Sequence, residues 1–163
     1  MRLYLVRHGK AEFGPEEADR KLSDRGVADV QAMAQYLAAQ EIRVQRVVHS
    51  GLVRARETAE ILAAQLAPDL PLEQVVGLAP WGDVEKFCKI VEKWHVDTLV
   101  CGHEPFLGLA ASALMCGDEH ADLVTVKTGT VMALEPSPYG PKWQLRWMLT
   151  PRIVRGPKED EEQ

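Results

Sequence analysis

Cysteine and long apolar runs are scarce in this chain of 163 residues, and each scarcity excludes a class of protein. The three cysteines, Cys88, Cys101 and Cys116, are widely spaced and form no Cys-x-x-Cys pair. They fit neither a disulfide framework nor a zinc site, and we expect them to pack in the core of a protein from a reducing compartment. No apolar run approaches the roughly 18 residues of a membrane span, and no signal-peptide segment opens the chain. We therefore expect a cytoplasmic protein with no membrane partner.

Basic charge is not in excess either. The formal net charge is -5, and residues 159–162 supply four of the acidic groups at the C-terminus. The rest of the chain is close to neutral, so it lacks the basic stripe of a nucleic-acid-binding protein. With 46% hydrophobic and 26% charged residues, residues 1–156 are expected to form one globular domain. Residues 157–163 are expected to form an acidic, disordered tail.

Short apolar runs alternate with amphipathic helical patterns as far as residue 116. The alternation predicts an α/β fold, a three-layer α/β/α sandwich with a mostly parallel central sheet. Further on, 130–134 and 143–149 predict two antiparallel strands at the edge of that sheet, joined by a proline-rich turn. The earlier predicted strands are 3–6, 46–49, 72–76 and 98–101, and the predicted helices are 23–40, 52–66, 83–94 and 105–115.

The first predicted strand ends abruptly in Arg7, His8 and Gly9. In an open α/β sheet, ligands bind at the carboxyl ends of the strands, and a glycine there lets the backbone turn sharply. A guanidinium beside an unprotonated imidazole suits an anionic electrophile, because the arginine grips oxygens while the histidine attacks. The alternative is an ordinary strand end with a solvated Arg-His pair.

Two other predicted strands end in the same way. One ends at His49, and Arg54 follows one turn into the next helix; the other leads into His103. If these strands are parallel, their carboxyl ends meet at one edge of the sheet. Two guanidiniums and two or three imidazoles would then converge with Arg7 and His8 on one hollow.

Such a cluster suits phosphoryl transfer. Arg7 and Arg54 would hold the phosphoryl oxygens, over which the transition state spreads its charge, and His103 would donate a further hydrogen bond. His8 would attack phosphorus and form a phosphohistidine that water then hydrolyses; its ordinary pKa near 6.5 makes the neutral form accessible. No Gly-rich phosphate loop and no carboxylate cluster is present, so we expect no metal and no cofactor.

Residues 7–9, 50–59 and 102–105 resemble, in order, three signatures of the histidine phosphatase, or phosphoglycerate mutase-like, superfamily. The resemblance extends from residue 2 to about residue 150. It implies a phosphoglycerate mutase-like fold, with His8 as the phosphorylated nucleophile. It also implies that Arg7, Arg54 and His103 complete the phosphate pocket.

Within the superfamily, further segments resemble the SixA-like phosphohistidine phosphatases. These segments are 7–11, 20–23 with Gly26, and 78–80 with 82–83. The resemblance implies a phosphohistidine carried by a partner protein as substrate. The compact chain also leaves little room for insertions that would roof the pocket.

Four other residues are candidates for substrate binding: Gly9, Arg20, His49 and Glu104. Each has a structural alternative. Arg20 would either touch the phosphoryl group or form a surface ion pair, and His49 would either line the pocket or form a structural hydrogen bond. Glu104 would either contact substrate or cap the loop after His103.

A general acid is harder to find. Asp83 and Glu85 are the candidates, but each is equally plausible as a helix cap or as a first-turn acid. A missing acid would suit a phosphoramidate, because its N–P bond breaks more readily than an ester bond once the nitrogen is protonated.

The first hypothesis is therefore a metal-independent phosphatase that hydrolyses phosphohistidine on a partner protein through a covalent phosphohistidine on His8. The second is a phosphomonoesterase for a small-molecule phosphate ester. The third is a non-catalytic phospho-ligand binding protein, which the intact His8 disfavours. The sequence leaves the oligomeric state open.

Overall fold

The computed structural model describes residues 1–157, so the predicted tail lies, apart from its first residue, outside the described residues. Within these described residues, six strands and five α-helices follow one another, with short 3-10 turns at Glu17–Asp19 and Glu119–Ala121. In chain order they are β1 Leu3–Arg7, α1 Asp24–Ala39, β2 Arg46–His49, α2 Val53–Leu66, β3 Leu72–Gln74, α3 Val84–Val91, β4 Thr98–Gly102, α4 Phe106–Cys116, β5 Val131–Pro136, β6 Trp143–Leu149 and α5 Pro151–Arg155.

The strands form one sheet in the order β3-β2-β4-β1-β5-β6. The first four of these are parallel, and β5 and β6 add an antiparallel hairpin at one edge. The predicted sandwich, with its mostly parallel sheet and antiparallel edge near the C-terminus, is confirmed.

Helices cover both faces of the sheet because the buried strands are apolar on both sides. In β1, Tyr4 and Val6 pack with residues of α1 and α2 on one face. Leu3 and Leu5 point to the other face and pack with residues of α3 and α4. No helix within residues 1–157 has the length and apolar character needed to cross a membrane.

The order β2-β4-β1 brings three carboxyl strand ends side by side. Arg7 pairs with Gly102, and His49 pairs with Cys101, so these strands stop at almost the same level. The residues that follow each strand therefore emerge together at one edge of the sheet. The sheet register, rather than any contact near in sequence, sets this arrangement.

Two elements are shorter than the sequence predicts. β3 stops at Gln74, because Val76 is exposed and the chain turns at Gly77 with a φ of 97°. α3 stops at Val91, where the hydrogen bonds change to the i to i+3 type: the Lys93 N–H donates to the Ile90 carbonyl, and the Trp94 N–H donates to the Val91 carbonyl. Trp94, predicted on that helix, lies beyond it and packs edge-on against Phe87, with ring centroids 6.1 Å apart.

The three cysteines do not all lie in the core. Cys101 is buried and Cys88 is partly buried, but Cys116 at the end of α4 is exposed. The prediction of core packing is wrong for Cys116, because Gly117 ends the helix at the surface in a left-handed conformation.

Gly26 joins α1 to the loop that follows the first strand. A Cβ on Gly26 would overlap the carbonyl oxygen of Lys10, which is backbone and cannot move aside cheaply. This overlap outweighs the gain of about 1 kcal/mol in helix propensity that alanine brings. We expect Gly26→Ala to lower the free energy of unfolding by about 1–3 kcal/mol in urea denaturation.

Gly14→Ala is the matched control, because the nearest atom to its added Cβ is Arg20 Cγ at 3.5 Å, an ordinary contact. We expect it to change stability by less than about 0.5 kcal/mol. Equal stabilities of the two variants would show that the contact between Gly26 and Lys10 is not tight.

Candidate active site

A cleft of about 450 Å³ opens at the carboxyl ends of β1 and β4. Four of the predicted site residues, Arg7, His8, Arg54 and His103, lie in its wall. The full lining is Arg7, His8, Lys10, Ala11, Glu17, Arg20, Arg54, Pro80, Trp81, His103, Glu104 and Thr128.

The backbone fixes the position of His8. Its N–H donates to the Gly102 carbonyl at 3.0 Å, and its carbonyl accepts from the Gly129 N–H at 3.0 Å. Its ring Nδ1 lies 2.6 Å from the Gly9 carbonyl oxygen. A carbonyl only accepts, so Nδ1 carries the proton and Nε2 keeps its lone pair.

The neutral form of His8 is strongly favoured. The residue is 8% exposed, and burial lowers the pKa of its imidazole to about 4, with the charges of Arg54 and Arg7 acting in the same direction. The hydrogen bond to Gly9 opposes this shift without reversing it. At neutral pH, His8 therefore presents an unprotonated nitrogen, which is the form a nucleophile requires.

Arg54 reaches the same nitrogen from the first turn of α2. Its side chain is 3% exposed, and its Nε donates to His8 Nε2 at 3.4 Å. Thr58, one turn further along α2, accepts the Gly9 N–H at 3.0 Å and donates its hydroxyl proton to the Arg54 carbonyl at 2.7 Å. This bridge ties the start of α2 to the loop after His8.

The other two members of the cluster, Arg7 and His103, each have a buried nitrogen that finds no hydrogen-bond partner among residues 1–157. Arg7 donates from Nη1 to the Val126 carbonyl at 2.7 Å, but its Nε is unpaired. In His103, Nε2 lies 2.6 Å from the Ser50 hydroxyl oxygen and Nδ1 is unpaired. The rings of His103 and His8 lie 5.1 Å apart between centroids.

Burial also keeps His103 neutral, since it lowers the pKa to about 3, with contributions from His8, Arg54 and Arg7. The Ser50 hydroxyl accepts the Leu52 N–H at 3.3 Å, and its own proton can be donated to His103 Nε2. With Ser50 as the donor, the proton of the neutral His103 ring is on Nδ1, where it can be donated to an oxyanion.

Of the four further residues predicted to bind substrate, two lie in the cleft lining and two do not. Arg20 and Glu104 line the cleft. Gly9 contributes its backbone, and a Cβ there would lie 2.8 Å from Val30 Cγ2. His49 is outside the lining; its Nδ1 accepts the Gly51 N–H at 3.0 Å, which is the structural alternative.

The structure does not bring the predicted general acids into the lining. Asp83 caps α3 by accepting the Lys86 N–H at 3.1 Å. Glu85 faces solvent and pairs with Lys89 at 2.9 Å. Both positions match the cap and first-turn alternatives.

Sequence reasoning missed Glu17 and Ser50. Glu17 lies in the 3-10 turn between β1 and α1 and forms an ion pair with Arg54 at 2.7 Å. Ser50 follows β2, and its place beside His103 depends on the pairing of β2 with β4. Only Ser50 carried a usable signal, since it stands between His49 and Arg54 at a strand end.

The cluster is suited to binding an anion. Within residues 1–157, no group of three or more His, Cys, Asp or Glu side chains is arranged to hold a metal ion. The cleft instead gathers the guanidiniums of Arg7, Arg20 and Arg54. Guanidiniums and neutral imidazole N–H groups are donors that match phosphoryl oxygens.

Comparison with known proteins agrees with this chemistry. The family model described as histidine phosphatase superfamily (branch 1) matches residues 3–93, more than half of the chain. The chain belongs to the histidine phosphatase superfamily. It is therefore a phosphatase of the hydrolase class, as its motifs predict.

Individual relatives extend the match to most of the chain. An uncharacterised protein of Picosynechococcus sp. is 35% identical over 140 residues, covering 80% of this chain and 83% of its own. The phosphohistidine phosphatase SixA of Escherichia coli K12 is 26% identical over 156 residues, covering 93% and 94%.

Solved structures share the fold. The histidine phosphatase SixA in complex with tungstate has a TM-score of 0.84 at 23% identity, covering 94% of this chain and 99% of its own. The alpha-ribazole phosphatase of Shigella flexneri has a TM-score of 0.76 at 20% identity, covering 93% and 97%. The fold of this superfamily member is thus phosphoglycerate mutase-like, as predicted.

The buried position of His8 makes a prediction about its titration. We expect nitrogen NMR of the imidazole to show the neutral, Nδ1-protonated tautomer at neutral pH, with protonation only near pH 4, because burial disfavours the imidazolium. A titration near the ordinary pKa of 6.5, or an Nε2-protonated ring, would contradict the geometry at Gly9.

Proposed function

We propose that residues 1–156 form a single-domain, metal-independent phosphatase that hydrolyses phosphohistidine on a partner protein through a covalent phosphohistidine on His8. The observation that carries the proposal is the unprotonated Nε2 of His8, held at 3.4 Å from Arg54 Nε. A neutral nucleophile beside a buried cation is poised for attack on a phosphoryl group.

The proposed reaction has two steps. The substrate's imidazole first takes up a proton from solvent on its free ring nitrogen; His8 Nε2 then bonds to phosphorus as the N–P bond breaks and a neutral imidazole leaves. Arg7, Arg54 and His103 bind the phosphoryl oxygens as charge spreads over them. A water molecule then attacks the phosphorus on His8, and orthophosphate leaves with the protons of that water.

The absence of Asp83 and Glu85 from the cleft lining supports a phosphoramidate substrate. An imidazole leaving group can be protonated before the bond breaks, so it does not need a dedicated carboxylic acid. Trp81 lines the cleft and is 76% exposed, so a partner protein that presents a phosphorylated side chain could contact it. The name of the relative SixA, a phosphohistidine phosphatase, points to the same substrate.

One observation favours a phosphomonoesterase instead. Glu104 lines the cleft, and burial raises the pKa of its carboxyl group. A carboxyl group that holds its proton longer is better suited to protonate an alkoxide leaving group. However, Glu104 Oε1 also accepts the Gly108 N–H at 2.7 Å. This hydrogen bond caps the start of α4, and such a structural role is the alternative to a role as general acid.

Relative kcat/KM decides between these substrates. We expect a protein carrying phosphohistidine to be hydrolysed at least about tenfold faster, in kcat/KM, than any member of a panel of phosphate esters. Glu104→Gln should leave this reaction nearly unchanged, because no ester oxygen needs its proton. Preference for an ester, together with a large loss in Glu104→Gln, would establish the phosphomonoesterase.

His8→Ala serves as the control for both substrates. It should abolish turnover and covalent labelling, while the pocket still binds tungstate through Arg7 and Arg54. Wild-type activity should survive a chelator. Tight tungstate binding by a wild-type protein that turns over none of the substrates would instead indicate a phospho-ligand binding protein.

Arg54 should matter for the transition state more than any exposed arginine. We expect Arg54→Ala to reduce kcat/KM by about 10²–10³, the cost of losing a preorganised donor to developing charge. Arg56→Ala is the matched control: Arg56 lies on the same helix, is half exposed and pairs with Glu60 at 3.4 Å. A similar loss in both variants would contradict a specific role for Arg54.

A further inference from the structure

Each of the three guanidinium nitrogens of Arg54 already donates a hydrogen bond, whereas Arg7 and His103 each have a buried nitrogen that makes none within residues 1–157. Nε donates to His8 Nε2 at 3.4 Å, Nη1 to the Glu17 carbonyl at 2.8 Å, and Nη2 to Glu17 Oε1 at 2.7 Å. Among the described residues, 1–157, Arg7 Nε and His103 Nδ1 have no hydrogen-bond partner. The cluster therefore has an unpaired nitrogen on each of two residues, whereas every nitrogen of Arg54 already makes a hydrogen bond.

The edge of the guanidinium that Glu17 occupies is the edge that a phosphoryl group would use. Nε and Nη2 lie on the same outer edge of an arginine, since Nη2 is trans to Cδ. His8 Nε2 and Glu17 Oε1 therefore face the same edge of Arg54. A phosphoryl group bonded to His8 Nε2 would place an oxygen where that carboxylate oxygen lies.

We propose that Glu17 is an internal competitor for the phosphoryl site, whose carboxylate must leave Arg54 before the substrate's phosphoryl group binds. The inference rests on the proposed function in one respect, that the phosphoryl group binds at His8 and Arg54. It adds a residue that sets the affinity of the site without taking part in bond making or breaking.

The position of Glu17 allows the carboxylate to leave. Its side chain is 57% exposed, and it stands on a three-residue 3-10 turn with no buried residue. Arg20 offers a second partner, with its Nη1 at 3.3 and 3.2 Å from the two carboxylate oxygens. A carboxylate displaced from Arg54 would therefore keep its ion pair with Arg20 and would not be left as a lone charge.

The test is Glu17→Gln with tungstate as the probe in isothermal titration calorimetry. The amide keeps the shape of the side chain but loses its charge, so it competes less for Arg54. We expect tungstate to bind about two- to fivefold more tightly than to the wild-type protein, the upper part of the range for losing an ion pair with one exposed partner. The KM for a phosphorylated substrate should fall, and the change in kcat should be smaller.

Glu16→Gln is the matched control. Glu16 precedes Glu17 in the same loop, is exposed and lies outside the cleft lining. Glu16→Gln removes one negative charge, as Glu17→Gln does, so a general electrostatic effect would tighten tungstate binding equally in both variants. Tungstate affinity that changes by less than twofold in Glu16→Gln supports a specific competition at Arg54.

Two failures are distinguishable. If Glu17→Gln binds tungstate no more tightly than wild type, or binds it more weakly, Glu17 orients Arg54 and the competitor proposal is overturned. If tungstate binding to the wild-type protein is insensitive to Arg54→Ala, the phosphoryl site itself is misplaced and the competitor proposal falls with it.

Discussion

The contact between Arg54 and His8 is the constraint on which the site depends. A permanent cation, 3% exposed, lies beside an imidazole that must not be protonated. The charge of the guanidinium lowers the pKa of His8 and so favours the neutral imidazole. The neutral imidazole in turn accepts a hydrogen bond from Arg54 Nε through the lone pair of its Nε2. Forty-six residues separate the two in sequence, so the pair exists only when the sheet and α2 are formed.

The fold supports that contact mainly through backbone groups. The Gly9 carbonyl selects the tautomer of His8, and Thr58 joins the Gly9 N–H to the start of α2. Gly26 lets α1 close against the Lys10 backbone directly after this segment. Because Gly9 and Gly26 have no Cβ, the backbone packs tightly after β1 and holds the His8 side chain in one position.

Periodicity and strand-end chemistry predicted most of this architecture, because both are local in the sequence. The apolar alternation identified the sheet, and the polar ends of β1, β2 and β4 identified the cleft. Glu17 could not be found in this way. It lies among other acidic residues of a polar loop, and nothing near it in sequence indicates the pairing with Arg54.

Asp83 and Glu85 show a second limit of sequence reasoning. An acidic residue at the start of a helix has the same signature whether it caps the helix or faces a substrate, so only the placement of α3 decides. The structure puts Asp83 on the Lys86 N–H and Glu85 on Lys89. The same ambiguity affects Glu104, which caps α4 and lines the cleft at once.

Among the described residues, Arg54 is paired with a carboxylate and Arg7 is not, and this difference has an energetic reason. A buried donor without a partner costs about 1–3 kcal/mol, and within residues 1–157 Arg7 Nε and His103 Nδ1 are buried nitrogens whose hydrogen bonds an anion could complete. Arg54 is more deeply buried than Arg7, and leaving its charge unpaired would cost still more. Glu17 offsets that cost in the free protein. The ion pair of Glu17 with Arg54 therefore stabilises the free protein and at the same time lowers the affinity of the site for an anion.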